Sequence, residues 1–222
     1  MSDFVRAAAF AAFLVVFCGD PRVDARPNAL APSAVQPVVT PPNAISTKWA
    51  ELQARILADQ AVLAGCRSGH EPCPAAAQRF LSLVELGRAH EGRARIGQIN
   101  RAVNLAIRPV SDLVQYGVDD FWAAPLTTMR TGAGDCEDYA IVKYLALREV
   151  GIAPENIRLM IVRDVRRQNS HAVVAVRHDD EWLILDNRTM VMVRAIDAQY
   201  YWPLFSLDHH GVGMVATAAL SD

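Results

Sequence analysis

Apolar residues recur at helical spacing through the first half of the chain and at strand spacing through the second. Trp49, Leu52, Ile56, Leu57, Val62 and Leu63 form one stripe, which predicts a helix capped by Ser46 or Thr47 and running to about Ala64. Pro74 opens a second helix, with Phe80, Leu81, Leu83, Val84 and Leu86 on its apolar face. A third spans about Gly92 to Ile107 through Ile96, Ile99 and Val103, and Pro109 stops it. Residues 109–133 read as a loop with aromatic anchors at Tyr116, Phe121 and Trp122. Another apolar run, Ala140, Ile141, Tyr144, Leu145 and Leu147, predicts a helix from Cys136 to about Val150, with Gly151 as its left-handed terminator. Beyond Gly151 the period falls to two. Strands are predicted at 157–163, 171–177, 182–186 and 191–193. Helices followed by strands imply an α+β fold, with an antiparallel sheet packed on the cysteine-bearing helix.

Three regions follow from composition. Residues 1–25 resemble a secretory signal: Arg6 gives a basic start, Ala7 to Phe17 is apolar but too short to span a bilayer, and Val23 and Ala25 frame a cleavage point. An uncleaved anchor, or lipidation at Cys18 after the bulky Phe17, are the alternatives. Six of the 12 prolines fall in residues 21–44, so residues 26–45 read as an extended linker. Residues 46–222 are expected to form the folded domain. A net charge of −2 supplies no basic surface for nucleic acid. No organic cofactor is expected. Past the signal the cysteines are Cys66, Cys73 and Cys136. The first two flank a Gly/Pro/Ser segment that allows a disulfide; a metal site of Cys66, His70 and Cys73 is the alternative.

Cys136 carries the candidate chemistry. It stands in Thr131-Gly132-Ala133-Gly134-Asp135-Cys136-Glu137-Asp138-Tyr139-Ala140, where the glycines permit a sharp turn into a helix. Asp135 is a natural N-cap, with Asp138 completing a capping box. Free N–H groups and the helix dipole at this position favour a thiolate.

Strand register nominates its partners. His178-Asp179-Asp180-Glu181 is a turn signal. With a loop of even length, Val173 faces Asp186 and His171 faces Arg188. His171 and Asp186 are then diagonal neighbours on one face, about 7–8 Å apart at the backbone. An odd-length loop would bring Asn187 beside His171 instead. The first register groups Cys136 as nucleophile, His171 as base and Asp186 as the residue orienting the ring. An oxyanion hole would take the Cys136 N–H and, as second donor, the Trp122 indole, unless Trp122 is only a core anchor.

These motifs, together with Ser170-His171-Ala172-Val173, Leu185-Asp186-Asn187-Arg188, Asn100-Arg101-Ala102-Val103-Asn104 and Tyr116-Gly117-Val118-Asp119-Asp120-Phe121-Trp122, resemble the bacterial transglutaminase-like cysteine proteinase family over roughly residues 46–207. The resemblance implies a papain-like/transglutaminase-like fold and a periplasmic endopeptidase. Its implied substrate is a large surface adhesin cut near its N-terminus at a pair of alanines, which releases bacteria from biofilm. It further implies an inhibitory inner-membrane receptor that senses cyclic di-GMP. Calcium is implied too, on the acidic residues around the nucleophile, here Asp135 and Glu137 with Asp138 as a third; helix capping is the other reading of these side chains. A transglutaminase-type acyltransferase or amidase, or a non-catalytic binding module on the same fold, are the competing functions.

Overall fold

The computed structural model describes residues 35–37, 44–69 and 72–215. The expected signal peptide, most of the linker, and His70 lie outside the described residues. Six helices precede the main body of the sheet: α1 (Ala44–Ser68), α2 (Ala75–Arg88), α3 (Gly92–Ala106), α4 (Asp112–Tyr116), α5 (Pro125–Thr131) and α6 (Cys136–Glu149). Helix α1 begins two residues before the predicted start, so Ser46 and Thr47 lie inside its first turn. Among the described residues no helix is long and apolar enough to cross a membrane.

Among the described residues nine strands accompany them: β1 (Val35–Pro37), β2 (Arg108–Pro109), β3 (Ala133–Gly134), β4 (Ile157–Asp164), β5 (Asn169–His178), β6 (Glu181–Leu185), β7 (Val193–Arg194), β8 (Tyr201–Asp208) and β9 (Gly211–Val215). Seven form one antiparallel sheet in the order β1-β9-β8-β4-β5-β6-β7. The short β2 and β3 pair in parallel, and tie the end of α3 to the turn that precedes Cys136.

The sequence pattern predicted no strand at β8 or β9. Pro203 reads as a strand breaker, because proline cannot donate to a ladder. Here it sits at a β-bulge: Ile161 pairs with Phe205, while Val162 pairs with Pro203, leaving Leu204 as the extra residue. Among the described residues, pairing with β9 begins at Phe205. The predicted loop at 109–133 contains α4 and α5, each too short to show helical periodicity.

Helix α6 lies at the centre. Every residue from Asp138 to Leu147 is buried, as expected for a helix packed on all sides. One core cluster joins α1, α2, α3 and α6 to Ala172, Val174, Val176, Leu183 and Leu185 of the sheet. A smaller one takes the alternate residues, Val173, Ala175 and Ile184, with Tyr201. The period-two alternation thus divides each strand between the two faces. The Cys66–Cys73 disulfide joins the last turn of α1 to the start of α2, which removes the metal-site alternative for that pair.

Lys143 stands out within α6, being only 1% exposed. Burial pulls its pKa down to about 7, against the opposing pull of the Asp186 charge. An unfolded lysine titrates near 10.4, so between about pH 7 and 10 the unfolded chain holds a proton that the folded chain has released. Stability therefore rises with pH across that window. Lys143→Met is expected to be more stable than the parent at pH 7 by a few kcal/mol, with the gap closing toward pH 10. Paired urea titrations across this range measure it.

Candidate active site

The turn before α6 is built for close approach. Gly132 is left-handed at φ +62°, and a Cβ on Gly134 would lie 2.4 Å from Asp138 Oδ2. Asp135 occupies the N-cap position with extended backbone, but its side chain makes no capping hydrogen bond. Asp138 turns outward from the helix and accepts the Ala123 N–H at 2.9 Å. The Asp135 half of the predicted capping box is therefore not formed, while the Asp138 carboxylate faces the Asp135 N–H, and these carboxylates lie close to one another. The Asp138 bond places Trp122, itself buried, one residue from the first turn of α6.

Cys136 opens α6 and is the free cysteine of the described residues. Its thiol donates to Glu137 Oε2 at 3.0 Å. Burial pushes the thiol pKa far up and the Glu137 charge adds to it, although the Ala172 backbone N–H facing the sulfur pulls the other way. Desolvation and an adjacent carboxylate thus act against the thiolate that the helix dipole favours. Ala172 follows His171 on β5, so the sulfur lies beside the histidine-bearing segment.

The predicted hairpin register holds. Val174 pairs with Leu185 and His178 with Glu181. Asp179 and Asp180 form a two-residue turn with φ of +48° and +60°, the left-handed pair of a type I′ hairpin. His171 Nε2 and Asp186 Oδ1 are 2.9 Å apart, both groups buried. Two further donors serve the same carboxylate: Tyr201 Oη at 2.5 Å from Oδ2 and the Arg188 N–H at 3.0 Å from Oδ1. Burial alone would raise the Asp186 pKa; the hydrogen bond and charge of His171, the Tyr201 hydroxyl and the Arg188 N–H overcome it and hold the group down at about 2. An ionised Asp186 requires Nε2 of the ring to donate, which makes Nδ1 the acceptor of the neutral imidazole. Nδ1 is buried and has no hydrogen-bond partner among the described residues.

Tyr201 went unnoticed in the sequence because it lies on the strand that Pro203 disguises. Arg188 also pairs with Asp164 at 2.7 Å, which pins the segment after β6 to the end of β4.

An acidic pocket adjoins Cys136. Oxygen atoms of Asp112, Asp120 and Glu137 lie within 4.8 Å of one another, as do those of Asp112, Asp135 and Asp138. The structure thus brings together the three acids nominated from sequence and adds Asp112 and Asp120. Burial, and then the Glu137 charge, raise the Asp135 pKa to about 7; burial outweighs the Ala123 N–H bond to raise Asp138 likewise to about 7. Buried oxygens of Asp112, Asp135 and Asp138 lack hydrogen-bond partners among the described residues. Such orphaned carboxylate oxygens suit a hard cation. Asp112 gave no motif signal, while Asp120 lay in the aromatic motif, where nothing marked its role.

A model of the bacterial transglutaminase-like cysteine proteinase (BTLCP) family matches residues 61–210, well over half of the chain. Among solved structures, Legionella pneumophila LapG matches at 21% identity over 73% of this chain and 87% of that chain, with a TM-score of 0.56. Its calcium-bound form matches at 21% over 75% and 93%, with a TM-score of 0.56. The EGTA-treated form matches at 21% over 76% and 88%, with a TM-score of 0.57. At this identity the likeness speaks for the fold. No curated protein matches the sequence.

The depressed Asp186 pKa contributes stability that is present above about pH 4 and is lost as pH falls through about 2. Tyr201→Phe removes one donor and raises that pKa, so acid unfolding should begin at higher pH. At pH 7 the variant should lose about 2 kcal/mol, the scale of a hydrogen bond to a charged group. Acid and urea titrations followed by circular dichroism check both.

Proposed function

The chain belongs to the bacterial transglutaminase-like cysteine proteinase family and is a cysteine peptidase on a transglutaminase-like fold; from that premise we propose an endopeptidase whose triad is Cys136, His171 and Asp186. The observation that carries the triad is the buried His171–Asp186 hydrogen bond, formed beside the sulfur at the start of α6.

Asp186 fixes the tautomer that leaves Nδ1 as base. The Cys136 thiol turns from Glu137, passes its proton to His171 Nδ1, and the sulfur attacks the peptide carbonyl carbon. The tetrahedral oxyanion is held by the Cys136 N–H, one of the unpaired donors of a helix start, and by the Trp122 indole N–H. Collapse breaks the C–N bond, and the amine leaves with the proton from His171. Water then attacks the thioester, giving its proton to His171 and releasing the acid, and the proton returns to the sulfur.

Asp112, Asp120, Asp135 and Glu137, with Asp138 behind them, would hold a calcium ion. Two sets of three carboxylates that share Asp112, with orphaned oxygens on Asp112, Asp135 and Asp138, support this. The ion supplies positive charge that lets these groups stay ionised together. Glu137 belongs to both sites, since the same side chain accepts the Cys136 thiol. The family resemblance supports an exported, periplasmic enzyme whose substrate is a large surface adhesin cut near its N-terminus, with an inner-membrane receptor as inhibitory partner.

Two measurements test this. Cleavage of Ala-Ala-containing peptides and adhesin N-terminal fragments should vanish in Cys136→Ala and His171→Ala and fall by about 10³–10⁴-fold in Asp186→Asn; full activity in Cys136→Ala would remove the proposed nucleophile. Separately, calcium should raise the thermal midpoint by several degrees and EGTA should reverse it, with no shift in Asp112→Asn. A calcium shift that persists in that variant would place the ion elsewhere.

A further inference from the structure

Helix α3 carries two asparagines one turn apart, Asn100 and Asn104, exposed by only 0% and 8%. Asparagine is a poor residue for a helix interior, and burying an amide costs free energy unless it is hydrogen-bonded. Something outside the helix must account for the pair. Their spacing of four puts both amides on one face. Asn104 Nδ2 donates to the carbonyls of Asp186 and Thr189, both at 2.9 Å. Asn100 Nδ2 donates to the carbonyls of Thr189 and Met190 at 3.1 and 3.3 Å. All four bonds go to the segment that leaves β6, where no strand partner satisfies the backbone.

The same helix is tied to the nucleophile. Tyr139 Oη, on the first turn of α6, donates to the Ile107 carbonyl just past the end of α3 at 2.5 Å. Helix α3 therefore touches the Cys136 helix at one point and the Asp186 backbone at another. The carboxylate of Asp186 is held by His171, Tyr201 and the Arg188 N–H, while its carbonyl is held by Asn104.

From this we infer that Asn104 is a positioning residue for the reaction: it fixes the Asp186 main chain against α3, and through it the orientation of the His171 ring. The inference rests on the triad proposed above. Asn100 steadies the same segment from the far side without touching Asp186, which makes it a built-in control. Reaction rates respond steeply to small misplacements of a reacting constellation, so a grip on the backbone of the acid can matter as much as its side-chain bonds.

The test compares Asn104→Ala with Asn100→Ala by proton NMR of the low-field imidazole N–H resonance. That signal reports the His171 Nε2–H bond to Asp186, is assigned by its loss in His171→Ala, and needs no substrate. The resonance is expected to shift or broaden in Asn104→Ala and to stay in place in Asn100→Ala, at equal folded fraction. Against whichever Ala-Ala peptide the parent cleaves, Asn104→Ala should lower kcat by about 10–100-fold with KM changed by less than about twofold. In an Asp186→Ala background the same substitution should cost no further rate. An unmoved resonance in folded Asn104→Ala, or equal shifts in both variants, would overturn the inference and leave the asparagines as general supports of the segment. Should Asn104→Ala fail to fold, Asn104→Ser keeps one donor and gives the same readout with a smaller shift. If the parent cleaves no peptide but the resonance responds as expected, the triad's function fails while the positioning of the His171–Asp186 pair stands.

Discussion

A negative charge buried at the end of β6 governs the architecture around it. A carboxylate taken out of water without partners would be costly enough to protonate, and a protonated Asp186 could not orient His171 as it does. The fold answers with three donors drawn from three segments: the β5 strand, the β8 strand and the backbone just beyond Asp186. None is local to the carboxylate in sequence except Arg188. Strand pairing, the Pro203 bulge and the Arg188–Asp164 ion pair all bear on whether those donors arrive together.

The acidic pocket beside Cys136 shows the opposite condition. Its carboxylates are also partly buried, but they have one another as neighbours, and several oxygens have no donor. Asp186 is satisfied by protein hydrogen bonds and held ionised; Asp112, Asp135 and Asp138 are crowded and pushed toward neutrality. That contrast separates a carboxylate suited to orienting a base from a cluster suited to a cation. Glu137 lies where the two chemistries meet, since it faces both the cluster and the thiol.

Local patterns carried much of the fold. The turn at Asp179-Asp180 is two residues long, so the alternation argument paired the strands correctly and put His171 and Asp186 on one face. Helical stripes located α1, α2, α3 and α6 because each is long enough to repeat its apolar spacing. Short elements escaped, since α4 and α5 span only one or two turns. So did β8, whose proline sits at a β-bulge, a position where a strand tolerates it. At Cys136 the helix start favours a thiolate, while burial and Glu137 pull the other way, and only the fold reveals that opposition.

The sequence by itself determined the α+β order, narrowed the hairpin register to two alternatives and nominated Cys136, His171 and Asp186 as candidates, because periodicity, turn chemistry and motif spacing are properties of neighbouring residues. Only the tertiary structure decided that Tyr201 and Asn104 hold Asp186, that Asp112 and Asp120 complete the acidic pocket, and that the thiol rests on Glu137. Most of these contacts join segments many residues apart, and even the Glu137 contact depends on how deeply the fold buries the sulfur. Their strength is set by burial, which no stretch of sequence specifies alone.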